Sequence, residues 1–273
     1  MTTAPTIDVE MIETRVGQIQ LRRAGSGEPI VYLHSAAGEG EGLSFLGDLG
    51  RYGEVIAPMF PGFGESEGIE QIDGMEDAVF YMLDLFEKLG LASPRVVGLS
   101  LGGWLAAELA TRYPETVSKL VLMNPAGLYI EGAPIKDIFG RTPDVMADDL
   151  FADPNHPVAL MMKQMTKLFT EGGGGNIPFE LIKPQIKAMT ASARLGWNPY
   201  LHNPKLRERL WRINCPTLVI RGDHDGLIPV EHAKAYADEI AGAKYMVMPD
   251  VAHMIPLEKP PELADVIGEF LNG

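Results

Sequence analysis

The sequence predicts an α/β fold, in which a mostly parallel sheet of eight strands carries helices on both faces and a helical insertion. Three observations predict it. Short continuous apolar runs recur along the chain, helically spaced apolar residues lie between most of them, and one long segment interrupts this alternation. Strands that are buried on both faces have such continuous runs, and their alternation with helices is typical of parallel sheets.

The first residues predict an antiparallel hairpin. Ile7, Val9 and Met11 alternate with polar residues, Gly17 marks a turn, and the alternation resumes at Ile19. We expect the later strands to be buried on both faces. They are PIVYLH (29–34), EVIAPM (54–59), RVVGLS (95–100), KLVLMN (119–124), PTLVIRG (216–222) and KYMVMP (244–249).

The segment 128–212 contains no convincing buried strand, and we interpret it as a helical cap inserted into a core made of residues 1–127 and 213–273. Its methionines, such as Met161, are interpreted as core packing, and its tetraglycine at 172–175 as a hinge or loop tip. Helical spacing outside the insertion predicts helices over 74–89, 101–113, 231–241 and 261–271.

Composition excludes several classes of function. The net charge of −14 disfavours binding to nucleic acids and to anionic membranes. The single cysteine, Cys215, leaves no intramolecular disulfide. The start MTTAPTIDVEM does not resemble a signal peptide, and no run approaches the ~18 apolar residues of a membrane span, so we expect a cytoplasmic protein.

The motif Gly98-Leu99-Ser100-Leu101-Gly102 stands between a predicted strand and a predicted helix. A tight turn between the two would project the serine hydroxyl beyond the sheet, and small flanking residues would avoid clashes. The helix N-terminus would add backbone N–H groups for an anion. The motif therefore predicts Ser100 as a nucleophile.

A serine nucleophile needs a base, which in turn needs an acid to orient it. His253 is the best placed of the six histidines, because it follows the last apolar run and so lies on a loop at the same sheet edge as Ser100. The acid should come from RGDHDGLIP, where Asp223 and Asp225 both qualify. Asp223, His224 and Asp225 lack a fourth ligand for a metal, and we expect no metal and no cofactor.

These motifs resemble the α/β-hydrolase family, and the resemblance extends from Pro29 to Leu271. The order of nucleophile, acid and histidine is the family's. Its pattern G-x-x-D-x-x-x-P assigns the acid to Asp225, leaving Asp223 as a turn former or a helper. Further matches are Pro61-Gly62-Phe63-Gly64-Glu65-Ser66 and His253 followed by Glu258-Lys259-Pro260, whereas Met59 stands where an aspartate is common.

The resemblance also gives a role to the stretch HSAAGEGEG (34–42). It implies that the backbone N–H groups of Ala36 and Leu101 form an oxyanion hole. His34 would support the loop by hydrogen bonding, and Ser35 replaces the family's usual glycine. A phosphate cradle is disfavoured, because no Lys-Ser/Thr follows.

Substrate-facing residues are harder to predict. We expect Glu39 and Glu41 near the mouth of the pocket, where they would disfavour anionic substrates. Asn124, Trp197 and Met254 are our candidates for the pocket lining.

The resemblance implies a serine hydrolase that cleaves carboxylic esters of small to medium apolar acyl groups, lactones such as acyl-homoserine lactones included, through an acyl-enzyme. The expected partner is the small-molecule substrate, and the chain is expected to be a monomer or homodimer. Ser100 argues against the related epoxide hydrolases and haloalkane dehalogenases, which use an aspartate.

Three alternatives stay open. One is a carbon–carbon hydrolase of meta-cleavage products, for which Arg194 could bind a substrate carboxylate. Leu99, Leu101 and Met254 depart from the residues typical of that group. A cofactor-free haloperoxidase-like enzyme is the second, and a ligand receptor with this fold is the third.

Overall fold

The computed structural model describes residues 4–39, 43–171 and 179–273. The tetraglycine at 172–175 and Glu41 lie outside the described residues. The described residues form one eight-stranded sheet, and the predicted α/β-hydrolase architecture is confirmed. Its strands are β1 Ile7–Thr14, β2 Gly17–Ala24, β3 Pro29–Leu33, β4 Glu54–Pro58, β5 Arg95–Leu99, β6 Lys119–Met123, β7 Thr217–Gly222 and β8 Lys244–Met248.

The sheet has the order β1-β2-β4-β3-β5-β6-β7-β8. β1 pairs with β2, and β2 with β4, in antiparallel fashion, and all the other pairs are parallel. The predicted hairpin and the mostly parallel sheet are therefore both present. Because β3 and β5–β8 run in parallel, the loops that follow them meet at one edge of the sheet.

Helices connect the strands. They are α1 Phe45–Leu49, α2 Met75–Leu89, α3 Leu101–Arg112, α4 Pro143–Leu150, α5 Pro157–Glu171, α6 Phe179–Gly196, α7 Val230–Glu239, α8 Ile255–Glu258 and α9 Pro260–Asn272. The helix pairs that pack together include α1 with α9, α2 with α3 and α4 with α5.

The expectation that all six later strands are buried on both faces is wrong for β8. Residues 244–247 are exposed, and only Met248 is buried. The reason is the position of the strand, because β8 lies at the end of the sheet and has β7 as its single neighbour among the described strands. An apolar run does not distinguish an edge strand from a central one.

The inserted segment (128–212) carries α4, α5, α6 and a 3₁₀ helix at Arg207–Arg212. The interpretation of the segment's methionines as core holds for Met162, which packs against the hydrophobic core, and is wrong for Met161, which is 49% exposed. The end of α4 is hydrogen-bonded to the rest of the fold. The Gly226 and Met254 N–H groups donate to the carbonyl oxygens of Asp149 and Leu150, at 3.1 and 3.0 Å.

Candidate active site

Ser100 occupies the turn between β5 and α3, where its backbone has φ 55° and ψ −112°. A non-glycine residue at positive φ is strained, so the turn depends on its neighbours. A Cβ added at Gly98 would overlap the carbonyl of Gly102, and one added at Gly102 would overlap the carbonyl of Leu33. Glycine at both positions therefore lets the chain turn sharply enough to present the serine.

Asp225 and His253 form a buried pair on the loops after β7 and β8. His253 Nδ1 lies 3.0 Å from Asp225 Oδ2. The N–H groups of Leu227 and Ile228 donate to Asp225 Oδ1 at 2.9 and 3.0 Å, so both carboxylate oxygens have donors. A carboxylate held in this way fixes the histidine proton on Nδ1 and leaves the Nε2 lone pair available.

Ser100 and His253 line the same cavity, although no hydrogen bond joins them among the described contacts. Nucleophile–base hydrogen bonds are often long before a substrate binds, so this geometry is compatible with proton transfer. Asp223 lies apart from the pair. Its Oδ1 binds His224 Nδ1 at 2.6 Å and accepts the Val251 N–H at 3.2 Å.

Two backbone N–H groups at the cavity wall have no acceptor in the part of the chain that the structure describes. They belong to Ala36, after β3, and to Leu101, the first residue of α3. His34 precedes this loop and makes two contacts. Its Nε2 accepts the Phe60 N–H at 3.0 Å, and its Nδ1 lies 2.8 Å from the Ser35 carbonyl oxygen. Burial lowers the pKa of His34, although the Glu39 charge opposes this effect, so the ring is neutral at neutral pH.

The expectation for Glu39 is wrong. Its side chain turns inward and is buried, with both oxygens hydrogen-bonded to Ser35 or Tyr32. A buried carboxylate is costly without donors, and here Ser35 on the adjacent loop supplies two and Tyr32 on β3 a third. Ser35, which stands where the family usually has a glycine, lines the cavity, and its hydroxyl donates to Glu39 Oε2 at 2.9 Å.

The cavity has a volume of about 40 Å³ and a mostly apolar wall. The core contributes one side of it and the inserted segment the other. Among the described residues no Lys or Arg lines it. The lining residues are Ser35, Ala36, Ala37, Ser100, Leu101, Leu227, Ile228, His253 and Met254 from the core, and Ile135, Ile138, Met146, Leu150, Met189 and Leu201 from the inserted segment.

Of the three candidates for the pocket lining, the structure places only Met254 in the wall. Asn124 is a buried brace instead. Its amide donates to the carbonyls of Ala252 and His253 at 3.2 and 2.9 Å and accepts the Gly222 N–H at 3.1 Å. Trp197 is 63% exposed, and its ring packs against Phe139 outside the cavity.

Sequence reasoning missed two polar contacts around Ala36. Ser192 on α6 is fully buried and donates to the Ala36 carbonyl at 3.0 Å. Glu39 holds the preceding residue. The sequence does show Ser192 as a serine among alanines on an amphipathic helix, but this pattern does not indicate that its hydroxyl bonds the Ala36 carbonyl. Arg194, on the same helix, binds Asp73 and the Ile72 carbonyl, away from the cavity.

No helix among the described residues is long and apolar enough to span a membrane, and none of their side chains form a cluster of metal ligands.

Comparison with known proteins identifies the family. The family model described as "alpha/beta hydrolase fold" matches residues 28–260. The 2-hydroxymuconate semialdehyde hydrolase of Pseudomonas sp. (strain CF600) is 28% identical, over 98% of this chain and 95% of that protein. Lipase 3 of Moraxella sp. (strain TA144) is 27% identical, over 91% of this chain and 78% of that protein.

A solved structure agrees in fold. Naproxen esterase (carboxylesterase NP) from Bacillus subtilis superposes with a TM-score of 0.75 at 20% identity, covering 98% of this chain and 92% of that one. The relatives named here are hydrolases. The chain belongs to the alpha/beta hydrolase fold family.

Proposed function

We propose that the protein hydrolyses carboxylic esters of small apolar acids through an acyl-enzyme on Ser100. One observation carries the proposal: Ser100 and the His253–Asp225 pair open onto a cavity with an apolar wall. Lactones of matching size belong to the same class. We further propose that residues 128–212 act as a cap, since six side chains of this segment form one side of the cavity.

The proposed roles rest on the placement of these groups around one cavity and on the His253–Asp225 hydrogen bond. His253 Nε2 accepts the Ser100 proton as Oγ bonds to the ester carbonyl carbon, and the oxyanion binds the N–H groups of Ala36 and Leu101. Asp225 stabilises the imidazolium. The intermediate then expels the alcohol, which takes the proton from His253, and an acyl-enzyme remains. Water, deprotonated by His253, releases the acid and restores Ser100.

The size of the cavity favours short acyl groups. Small-molecule sites usually measure ~300–1,000 Å³, whereas this one measures about 40 Å³. Larger substrates would have to displace the side chains of the cap. We therefore expect acetate and propionate esters to be turned over faster than octanoate esters.

A carbon–carbon hydrolase is the second candidate, and the similarity to a 2-hydroxymuconate semialdehyde hydrolase favours it. Dienoate substrates are anions, however, and the described cavity wall has no cation to bind one. Arg194 is paired with Asp73 and does not line the cavity. The geometry therefore supports ester hydrolysis better. The haloperoxidase-like enzyme and the receptor have no observation that favours them.

The test is a panel of p-nitrophenyl esters from acetate to octanoate, simple lactones and a meta-cleavage dienoate, on wild type and Ser100→Ala. We expect multiple turnovers of the short esters and a loss of about 10⁴-fold or more in kcat for the variant. Faster turnover of the dienoate than of every ester would reject the ester proposal, and a single turnover per chain would indicate a receptor.

A further inference from the structure

Glu39 is a buried carboxylate beside the proposed oxyanion hole, and it contacts neither the cavity nor any cation in the described contacts. Oε2 accepts the Ser35 N–H at 2.8 Å and the Ser35 hydroxyl at 2.9 Å, and Oε1 accepts the Tyr32 hydroxyl at 3.1 Å. Hydrogen bonds to a charged acceptor are stronger than neutral ones, particularly where water is excluded. The three donors therefore hold the loop firmly against Glu39.

The N–H groups of residues 35–38 have different partners. The Ser35 N–H donates to Glu39, the Ala37 N–H to Ser35 Oγ at 3.1 Å, and the Gly38 N–H to the Ser35 carbonyl at 3.0 Å. Within the described contacts, only the Ala36 N–H has no acceptor. Glu39 thus binds Ser35 directly, and through the Ser35 hydroxyl it also orders Ala37.

The peptide group that carries the Ala36 N–H is held at its other end. The Ser35 carbonyl lies 2.8 Å from His34 Nδ1, which carries the ring proton because Nε2 accepts the Phe60 N–H. In a trans peptide the C=O and the N–H point in opposite directions, so fixing the Ser35 carbonyl also aims the Ala36 N–H. Glu39 holds the Ser35 nitrogen, and His34 holds the Ser35 oxygen.

We propose that Glu39 is a positioning residue for the oxyanion hole, which orients the Ala36 N–H through its hydrogen bonds to Ser35. The inference rests on the proposed function of the Ser100 site. A carboxylate near a developing oxyanion would by itself oppose the reaction. The sign of a charge-removing substitution therefore separates positioning from simple repulsion.

The Glu39→Gln variant keeps the shape of the side chain but replaces one acceptor oxygen with a donor, so it cannot accept all three hydrogen bonds. We measure the second-order rate at which a fluorophosphonate modifies Ser100, together with kcat and KM for p-nitrophenyl acetate. Losing an oxyanion donor outright costs about 10²–10³-fold, so misaiming one should lower both rates by about 10–100-fold. KM should stay within about threefold, since the contact matters mainly in the transition state.

Glu108→Gln is the matched control. Glu108 is a fully buried carboxylate that also accepts three donors, from Trp104, Asn203 and Arg112, but it lies outside the loop at 34–39. The Glu108→Gln substitution should leave the phosphonylation rate within about threefold of wild type, measured at a temperature where both this variant and Glu39→Gln are folded. An equal loss in both variants would mean that the effect is general destabilisation, and would overturn the proposal.

Ser35→Ala provides a second approach, which also serves if Glu39→Gln does not fold. It removes the hydroxyl that links Glu39 to Ala37, and a smaller loss of phosphonylation rate is expected. An unchanged or faster phosphonylation rate in Glu39→Gln overturns the proposal. If Glu39→Gln does not fold, the same result in Ser35→Ala overturns it. The phosphonylation rate does not depend on the natural substrate. A protein that fails the ester panel but loses phosphonylation in Glu39→Gln would refute the ester function alone.

Discussion

The loops at the carboxyl edge of the sheet and the inserted segment (128–212) hold their side chains in contrasting ways. In the loops, Asp225, His253 and Asn124 are buried, and each has named hydrogen-bond partners. In the segment, α5 leaves Met161 and Phe169 exposed, while Ile138 and Met189 face the cavity through apolar contact. Directional bonds define a single geometry, whereas apolar contacts tolerate changes in shape. The loops should thus determine the reaction, and the segment should determine which substrates react.

Asp225→Asn should have the largest effect. The amide cannot hold the His253 proton on Nδ1 in the same way, and a comparable change in a known triad lowers kcat by about 10⁴. The loss should be the same for every ester in the panel, because it affects the reaction and not the fit of the substrate.

Asp223→Asn is the control for Asp225→Asn, since Asp223 is two residues away and bonds His224 instead of His253. Its kcat should stay within about tenfold of wild type. Equal losses in the two variants, or a loss that varies with acyl length, would contradict the contrast between the loops and the segment.

Ile138→Ala should change the choice of substrate. Ile138 lines the cavity from the inserted segment, and truncating it creates space for further methylene groups. Each buried CH₂ contributes about 0.8 kcal/mol, or about fourfold. Space for two such groups should therefore raise the kcat/KM ratio of hexanoate to acetate esters by about 16-fold. Val145→Ala, at an exposed position outside the wall, should leave the ratio unchanged. A uniform loss with no change in the ratio would show that this wall does not select substrates.

Ser192→Ala tests the junction between the two regions, because its hydroxyl on α6 donates to the Ala36 carbonyl. A neutral hydrogen bond contributes about 0.5–1.5 kcal/mol, so kcat should fall by about 2–10-fold. Thr190→Ala is the matched control, because the Thr190 hydroxyl donates to the Ile186 carbonyl within the same helix. If the two variants have equal kcat values, the junction plays no part in turnover.

The smallest effect concerns stability and pH. Burial lowers the pKa of His34 and of His232 below the usual 6.5, so the unfolded chain binds more protons than the folded one just below that pH. The free energy of unfolding should be nearly constant above pH 7 and should fall between pH 6.5 and 5.5. Each histidine contributes at most about 1.4 kcal/mol per pH unit.

His232→Gln checks this account, because its amide can still donate to the Ala133 carbonyl that His232 binds. Urea denaturation at pH 7.5 and 5.5 should show a smaller difference in the variant than in wild type. An unchanged difference would mean that His232 does not contribute to the acid sensitivity.

Local patterns predicted much of the loop region. The glycines around Ser100 are required by one tight turn, and the strand order of the family brings Asp225 and His253 to the same sheet edge. Glu39 was misplaced, because a sequence does not give the direction of a loop side chain. Asn124 was misplaced because its hydrogen-bond partners come from the end of β7 and the loop after β8, and Trp197 because its surroundings depend on how the inserted segment packs. The exposure of β8 depends on its position in the sheet, which its composition does not reveal.

The central claim is that Ser100 is the nucleophile for ester hydrolysis. The most direct measurement treats the protein with a fluorophosphonate, maps the modified peptide by mass spectrometry and follows turnover of p-nitrophenyl acetate in the same samples. The account predicts one adduct per chain, on Ser100, and a loss of turnover in proportion to labelling. Full turnover after complete labelling of Ser100, or an adduct only at another residue, would contradict it.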